Sequence, residues 1–488
     1  MSTDSGGGGG GEAKRQRAHR QAEGEVPVDR ISALPDELRQ QIVTLLPFVD
    51  AVRSGALARG WRVLWKSCWP RHPSVDIRLD GGGGAPEREL AALEREPRPR
   101  RRLHRFSLVV ESRTRKFRSS HLQRFLDYAA ECRVEDLRVE MSQHCKLKFH
   151  LPHSSPLLAR LSLYGLGISS INYKGAQPFH ALEVIELQWV STTPAAFRKM
   201  VALCPSLRTL HLRHCESQGF FFWEPEGSMV WPASLRSVTV ACCNGMANLE
   251  SAPSLRSFRY KGSFLDAPFS LPRDAALAEL CIRFQYSVSG SHYTSHFNNS
   301  LPNDLSRLTV FTICHNALPV AGYLSDDGAP CQVPKQRSLH SLRELQLFML
   351  KMEAANLADI YVFLKTFQFP NLERLFVQFA YCANEASHDE VGAEPPENFL
   401  GNVKIVKVKY FHWHPVEVEF VSFLLRKASS LHKLLLVSSH KAAPLDVPGV
   451  QEADLLLLKD ALTNGKMILS KSDDAATQPY HSEAFLRI

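Results

Sequence analysis

The side chains of this 488-residue chain best suited to hold a metal lie closest together at His211, His214 and Cys215. Imidazole nitrogen and thiolate sulfur are the ligands of structural zinc, which gathers four of them in a tetrahedron. The chain contains no Cys-x-x-Cys, and the spacing here matches no structural zinc site, so these three residues are assigned to packing. His412 and His414, on either side of Trp413, are a second pair and are assigned to a loop or to the core. Catalytic wording is missing as well: there is no Gly-x-Ser-x-Gly, His-Glu-x-x-His, phosphate loop or dinucleotide fingerprint. No catalytic residue, metal or cofactor is therefore assigned, and the chain is expected not to be an enzyme. The remaining chemistry is charge. Arg95 to Arg118 holds ten basic residues against two acidic, a local +8 that equals the excess of the whole chain (58 − 50), so everything else is balanced. Such a block attracts polyanions. Only Phe106 and Phe117 interleave with it and no nucleic-acid motif surrounds it, so it is expected to be a solvated arm or a contact for an acidic protein, with no specific nucleic acid.

A chain without reaction chemistry works by binding, and two kinds of element could position binding residues here. The first is short and helical, from Val28 to Trp69. Leu34 precedes a helix start marked by Pro35, with Asp36 and Glu37 where the helix dipole favours acids. Leu38, Ile42, Leu45 and Leu46 recur at three- and four-residue spacing as one apolar stripe, and Pro47 ends it. Asp50 can cap a second helix carrying Val52 and Leu57; Leu57, Trp61, Leu64 and Trp65 make a further stripe. Three short helices bury too little surface to be stable alone, so these stripes need a partner.

The second element is repetition. An apolar residue at positions 1, 4 and 6 recurs from Leu103, Val134, Leu158, Leu182, Leu207, Leu235, Leu255, Leu277, Leu305, Leu342, Leu372, Val403 and Leu431, at separations of 20 to 37 residues. Positions 4 and 6 alternate with polar neighbours as a strand does: Leu210 and Leu212 point one way and His211 the other. Each unit leaves an apolar face that only its neighbours can cover, so the copies stack. Gln285 to Ser300, Val320 to Ser338 and Cys382 to Glu397 interrupt the pattern and are expected to be loops. Phe220 to Trp223, four consecutive aromatics, are expected to pack rather than to form an exposed patch.

The helical stretch resembles the F-box: Leu34-Pro35-Asp36-Glu37-Leu38, then Ile42-Val43, Leu46-Pro47, and Val52, Leu57, Trp61, Leu64 and Trp65. It departs at Val43, where Leu is usual, and at Ala58-Arg59-Gly60, where Gly60 costs about 1 kcal/mol against Ala. The repeats resemble a leucine-rich-repeat solenoid, with Cys215 and Cys243 at position 9, where that pattern carries Asn or Cys bonded to turn backbone. Asn402 to Leu436 resembles the FBD segment of plant F-box proteins, a strand with Val403, Val406 and Val408, a helix with Glu417, Phe420 and Leu424, and a closing strand with Leu431, Leu434 and Leu436.

These resemblances imply an α/β protein with an N-terminal three-helix F-box, an irregular leucine-rich-repeat solenoid with parallel strands on its concave face, and a strand–helix–strand FBD cap. The expected organisation is a tail over 1–26, the F-box over 27–70, a linker and basic arm over 71–118, the solenoid over 119–395, FBD-like repeats over 396–440, and a segment over 441–488 that is partly ordered around Leu455 to Leu458. The implied function is substrate recognition for a Skp–cullin–F-box type ubiquitin ligase, with a Skp-family adaptor and through it a cullin-RING ligase as partners. The alternative is an F-box/LRR scaffold or ligand-binding cofactor protein outside the ligase. Adaptor binding is expected at Leu34, Pro35, Leu38, Ile42, Leu46, Pro47, Leu57, Trp61 and Trp65. An unknown protein substrate is expected on the strand positions between the core-facing ones, at Glu186, Gln188, His211, Arg213, Arg259, Arg283 and Gln346, with Thr239 and Thr309 in the same set.

Composition agrees with a binding protein, and no membrane is expected among its partners. The chain is 44% apolar and 9% aromatic, enough for a large core of two to four domains. No apolar run approaches the ~20 residues of a membrane span. Ser5 and Gly6 to Gly11 begin the chain without the apolar core of a signal peptide, and Lys14, Arg15 and Arg17 resemble a short nuclear-import signal. Eleven cysteines in no regular framework suit a reducing compartment, so nucleus and/or cytoplasm is expected.

Overall fold

The structure, a computed structural model, describes residues 34–481 except 47, 57–60, 69–72, 80–85, 112–116, 142–146, 148, 150–154, 169–177, 218–228, 244–246, 265–268, 288–290, 323–336, 351, 381–390, 397–399, 439–448 and 472–476. Pro47, Leu57, Gly60 and the aromatic run Phe220 to Trp223 thus lie outside the described residues. The chain divides into two compact units, Met1–Ser74 with Arg101–His104, and Val75–Arg100 with Arg105–Ile488.

Among the described residues of the first unit are three short helices, α1 (Asp36–Leu45), α2 (Phe48–Ser54) and α3 (Trp65–Cys68). Pro35 stands at the N-cap of α1 in extended backbone, and Asp36 and Glu37 fill the first turn. Val43, Ala51, Trp61 and Leu64 form the core, with Ile42, Leu46, Phe48 and Trp65 packed around it.

The second unit is built on one sheet of 15 strands in chain order. They are β1 (Ser74–Leu79), β2 (Arg105–Val110), β3 (Asp136–Met141), β4 (Arg160–Tyr164), β5 (Val184–Gln188), β6 (Thr209–Arg213), β7 (Ser237–Ala241) and β8 (Ser257–Gly262), continuing as β9 (Glu279–Phe284), β10 (Val310–Cys314), β11 (Glu344–Phe348), β12 (Arg374–Gln378), β13 (Ile405–Lys409), β14 (Lys433–Val437) and β15 (Met467–Ser470). From β2 onward every strand pairs parallel with the next. Positions 4 and 6 face the core as the spacing predicts: Leu161 and Leu163, Ile185 and Leu187, and Leu210 and Leu212 are all buried. The helices between strands, α4 (Pro86–Glu94), α5 (Ser119–Glu131), α6 (Pro194–Ala202), α7 (Ser291–Ser300), α8 (Leu318–Gly322), α9 (Ala354–Thr366), α10 (Pro415–Lys427) and α11 (Glu452–Thr463), bury Phe125, Phe197, Phe363 and Phe420 among others in this core.

The coils share a turn that the spacing does not announce. Position 8, just past the strand, has positive φ at Gly165 (70°), Trp189 (53°), His214 (49°) and Cys242 (52°). Each of these N–H groups donates to the position-7 carbonyl of the following coil: Gly165 to Gln188 (2.9 Å), Trp189 to Arg213 (2.9 Å), His214 to Ala241 (2.8 Å) and Cys242 to Lys261 (2.5 Å). The left-handed turn thus extends the parallel ladder by one bond per coil, which offsets the strain of positive φ in a residue with a side chain. At position 9 the thiol of Cys215 donates to the Leu187 carbonyl (3.4 Å) and that of Cys243 to the Ala241 carbonyl (3.5 Å), the backbone role expected of them.

Several expectations are corrected. Residues 71–118 are not a linker: β1, α4 and β2 lie there, and the expected repeat at Leu103 supplies β2 with its buried Phe106, Leu108 and Val110. Much of the basic arm is built into the fold. Arg100 has a side chain only 3% exposed; it pairs with Glu131 (2.5 Å), donates to the Leu93 carbonyl (2.7 Å) and covers the Tyr128 ring (4.5 Å). Within the first unit, buried Arg102 donates to the Leu46 carbonyl (3.1 Å). Charge counts cannot anticipate this, because Glu131 lies 31 residues from Arg100 and Leu46 lies 56 residues from Arg102. Gln285 to Ser300 contains α7, whose Phe297 is buried near Phe264, Phe269 and Phe284; the polar wording hid one apolar anchor. The repeat expected from Leu305 starts at Leu308, since Thr309 stands in the hydrogen-bond ladder where Ala278 and Arg343 stand in theirs. Leu305 and Leu308 both fit a 1-4-6 pattern, so wording alone could not choose. The strand–helix–strand over 405–437 does not end the sheet, because β15 pairs beyond β14 and α11 is held to α10 by Arg426 and Asp454.

Candidate partner-binding surfaces

The helix-free face of the sheet is lined by the odd strand positions, and the strand register places them in rows. One row runs Arg138, Ser162, Glu186, His211, Thr239, Arg259, Cys281, Thr312, Gln346, Phe376, Lys407 and Leu435. From Arg138 to Arg259 these side chains are exposed or half-buried, whereas from Cys281 onward all are buried, Thr312 and Gln346 at 0% exposure. The face therefore has an open half and a closed half.

Two cavities open in the first half. One, of about 290 Å³, is lined by Arg138, Ser162, Tyr164, Glu186, Gln188, His211 and Arg213. Glu186 is fixed there by Arg160 (2.9 Å) and Ser162 (3.3 Å). The other, of about 210 Å³, shares Gln188 and Arg213 and adds His214, Thr239, Cys242, Arg259, Lys261, Cys281, Arg283 and His481. Four strand cations meet around it, and their field reaches the imidazole of His214, which burial first and then Lys261 and Arg213 hold below the usual histidine range. Arg283 is almost buried, its guanidinium 4.1 Å over the Phe348 ring.

The zinc alternative does not gather its ligands. His211 stands in the row, His214 stacks on Trp189 at 4.1 Å in the position-8 turn, and the Cys215 thiol is turned inward to carbonyl oxygens. Among the described residues no three His, Cys, Asp or Glu side chains are grouped to hold a metal ion. Likewise the His412 backbone N–H donates to Glu417 (2.7 Å), which ties the loop to the start of α10.

The closed half is covered in part by residues 477–481 of the same chain. Lys407 Nζ donates to the Thr477 carbonyl (2.7 Å), the Tyr480 N–H donates to Glu344 (2.6 Å), and the Tyr480 hydroxyl donates to Glu279. His481 Nδ1 lies 2.7 Å from the Thr312 hydroxyl. The direction of that last bond follows from its neighbours. Gln346 donates its amide N–H to the Glu344 carboxylate, so its carbonyl oxygen faces Thr312 and accepts the hydroxyl proton (2.8 Å). Thr312 oxygen then has a lone pair to offer, and Nδ1–H of His481 is the donor. Burial holds the His481 imidazole below its usual range. Burial alone pushes the Glu279 carboxyl up, but the Tyr480 and Ser257 hydroxyls that donate to it more than offset this and hold it below the usual carboxylate range.

Six of the seven expected substrate residues line the two cavities: Glu186, Gln188, His211, Arg213, Arg259 and Arg283. Gln346 is corrected, since it is wholly buried within the polar chain that holds His481. Arg138 and Lys261 were missed although the same odd-position rule reaches them; Tyr480 and His481 belong to no repeat and gave no signal. In the helical unit Trp61 is a core residue, 2% exposed, Leu34, Ile42, Leu46 and Trp65 are half-buried, and Pro35 and Leu38 are exposed. Leu38, Val49, Val52 and Val63 are four of the nine large apolar side chains exposed among the described residues, and they fall within a few helical turns. Val49 and Val52, three apart on α2, share a face. Val43 is fully buried, so the departure from Leu there bears on packing.

A one-way parallel sheet in which each strand opens a coil of the same wording defines a leucine-rich-repeat protein. The chain belongs to the plant F-box/FBD/LRR-repeat family: the family model described as At1g61320/AtMIF1, LRR domain, matches residues 101–449. F-box/FBD/LRR-repeat protein At1g13780 of Arabidopsis thaliana is 20% identical over 84% of this chain and 91% of its own length. F-box/LRR-repeat protein 13 of the same organism is 23% identical over 91% of this chain and 95% of its own. At4g03220, a third relative of that kind, is 27% identical over 49% of this chain, which spans only 43% of it. Among solved structures the TLR13–ssRNA13 complex aligns over 82% of this chain and 61% of that one, at 14% identity and a TM-score of 0.40. Among the described residues no helix is long and apolar enough to cross a membrane.

Proposed function

We propose that this chain is the substrate-recognition subunit of a Skp–cullin–F-box type ubiquitin ligase. In this reading α1 to α3 are the F-box and dock a Skp-family adaptor, the open half of the sheet face captures a protein substrate, and the chain itself carries out no chemistry. The observation that carries the proposal is the concentration of exposed apolar side chains, Leu38, Val49, Val52 and Val63, on a helical unit whose core cluster among the described residues is Val43, Ala51, Trp61 and Leu64. Exposed apolar surface of this kind is stable in water at a cost and marks a protein contact. The polar open half supports the second part: two adjoining cavities rich in Arg, Lys, His and Gln suit recognition of one shaped protein surface.

Co-purification tests the docking part. Tagged chain expressed in plant cells is expected to bring down a Skp-family adaptor and a cullin, and Val49→Glu with Val52→Glu is expected to lose both while the sheet unit melts as before. Adaptor without cullin would favour a scaffold working outside the ligase, and neither would overturn the proposal.

A further inference from the structure

Residues 477–481 cross the sheet face in reverse strand order. Thr477 meets β13 at Lys407, the Tyr480 N–H meets β11 at Glu344, His481 meets β10 at Thr312, and the Tyr480 hydroxyl reaches β9 at Glu279. Four strand spacings are ~19 Å. The segment bridges them with the long side chains of Lys407 and Tyr480, and these four contacts are polar and directional. Glu279 and Glu344 are acceptors with cations beside them: Arg374 pairs with Glu344 (2.6 Å) and Arg259 approaches Glu279 (3.8 Å). The Glu344 carboxylate has 0% exposure and His481 1%, so these two groups are desolvated together, while Tyr480 is 51% exposed and lies at the rim. Buried polar groups persist when paired, and residues 477–481 add a partner to Lys407, Glu344, Thr312 and Glu279 beside those the sheet supplies.

We propose that the sheet face over β9 to β13 is a docking groove for a protein segment that presents a hydroxyaryl next to an imidazole, and that Thr477–His481 is its standing occupant, displaced when such a segment of the partner enters. The proposal rests on the sheet face being the capture surface. Only residues 471–476 separate β15 from Thr477, and a short tether places its occupant at an effective concentration in the mM range. A competing segment must therefore bind well in its own right, which makes the groove selective.

The probe is a fluorescein-labelled peptide of residues 474–488, DAATQPYHSEAFLRI, titrated into full-length chains and read by anisotropy. Tyr480→Ala with His481→Ala empties the groove and is expected to bind the peptide at least tenfold more tightly than the wild type. Adding Glu279→Gln to that double variant is expected to remove the gain. Equal affinity of the wild type and the double variant overturns the proposal. If the double variant does not fold, Tyr480→Phe removes only one hydroxyl: hydrogen exchange at the Tyr480 and His481 amides is expected to accelerate about fivefold, and unchanged exchange overturns the proposal. Neither arm uses adaptor or substrate, so a failure of the ligase reading leaves these outcomes interpretable. Equal substrate capture by the wild type and the double variant would count against displacement alone.

Discussion

Replacing Leu38, Val49 and Val52 together by Ala separates an interface from a core. These side chains are 44%, 44% and 40% exposed, so that fraction of each is available for a partner to bury. Full burial of such a side chain stabilises by about 1.5–3 kcal/mol, which scales to roughly 0.6–1.2 kcal/mol apiece. The Cβ that Ala keeps reduces this, and the three together contribute on the order of 2 kcal/mol, about a 30-fold loss of adaptor affinity. Helix stability moves the other way, since Ala is the better helix former. Calorimetric titration of purified adaptor into the variant is therefore expected to show the weaker Kd with an unchanged or slightly raised Tm. Trp61→Ala is the contrast. That ring is 2% exposed, and its loss from the four-residue core should cost about 3–5 kcal/mol and unfold the helical unit, adaptor or not. Full affinity in the triple variant would show that the adaptor docks elsewhere, and a lowered Tm would show that these residues support the core.

Four other outcomes are expected. Gly165→Ala must place a Cβ 2.3 Å from the Met141 carbonyl oxygen at φ +70°, whereas Gly465→Ala, at φ +76°, meets nothing within 4 Å; thermal melting should show a loss of about 2–4 kcal/mol for the first and about 1 kcal/mol for the second, and equal losses would refute the ladder turn. Arg100→Met should destabilise by about 2–3 kcal/mol through its buried charge-assisted bonds while Arg98→Met, whose side chain is 72% exposed, changes Tm little; parity would return the basic block to solvent. Because burial lowers the folded-state pKa of His481, docking of the neutral ring contributes fully above the unfolded value of about 6.5 and is lost as pH falls below it. The Tm gap between wild type and His481→Gln should accordingly narrow from pH 7.5 to 5.5, and a constant gap would sink that account. Arg213→Gln with Lys261→Gln should cut substrate capture at least tenfold in proximity labelling with the proteasome blocked, with Tm and adaptor binding kept; normal capture would move the substrate off the open half.

The repeat was legible because stacking imposes it: each coil must give the core two alternate strand positions, and alternation survives wide variation in loop length. What was lost were features set by contacts distant in sequence. The basic stretch reads as a solvated arm in sequence, whereas Arg100 is held by Glu131, 31 residues away. The start at Leu305 looked as good as Leu308 because both begin an apolar 1-4-6 run, and only the backbone ladder separates them. Val49 and Val63 fell outside the stripes because a stripe predicts what a helix buries, and these residues are the ones it does not.

Accessibility is the property that periodicity cannot supply. His211 and Gln346 hold the same position in their repeats and share a row, yet one lines a cavity and the other has no exposed surface. Nothing in either repeat differs in a way that foretells this, because the cause is a histidine 169 residues downstream of Thr312. His481 can sit there only because Thr312 has an oxygen lone pair left once its proton goes to Gln346, and Gln346 offers that carbonyl only because Glu344 takes its amide. The burial of Gln346 is thus a consequence of three polar side chains on two neighbouring strands. Thr312→Val keeps the shape of that position and removes the lone pair, so it should release His481 and leave the apolar side of the same strands intact.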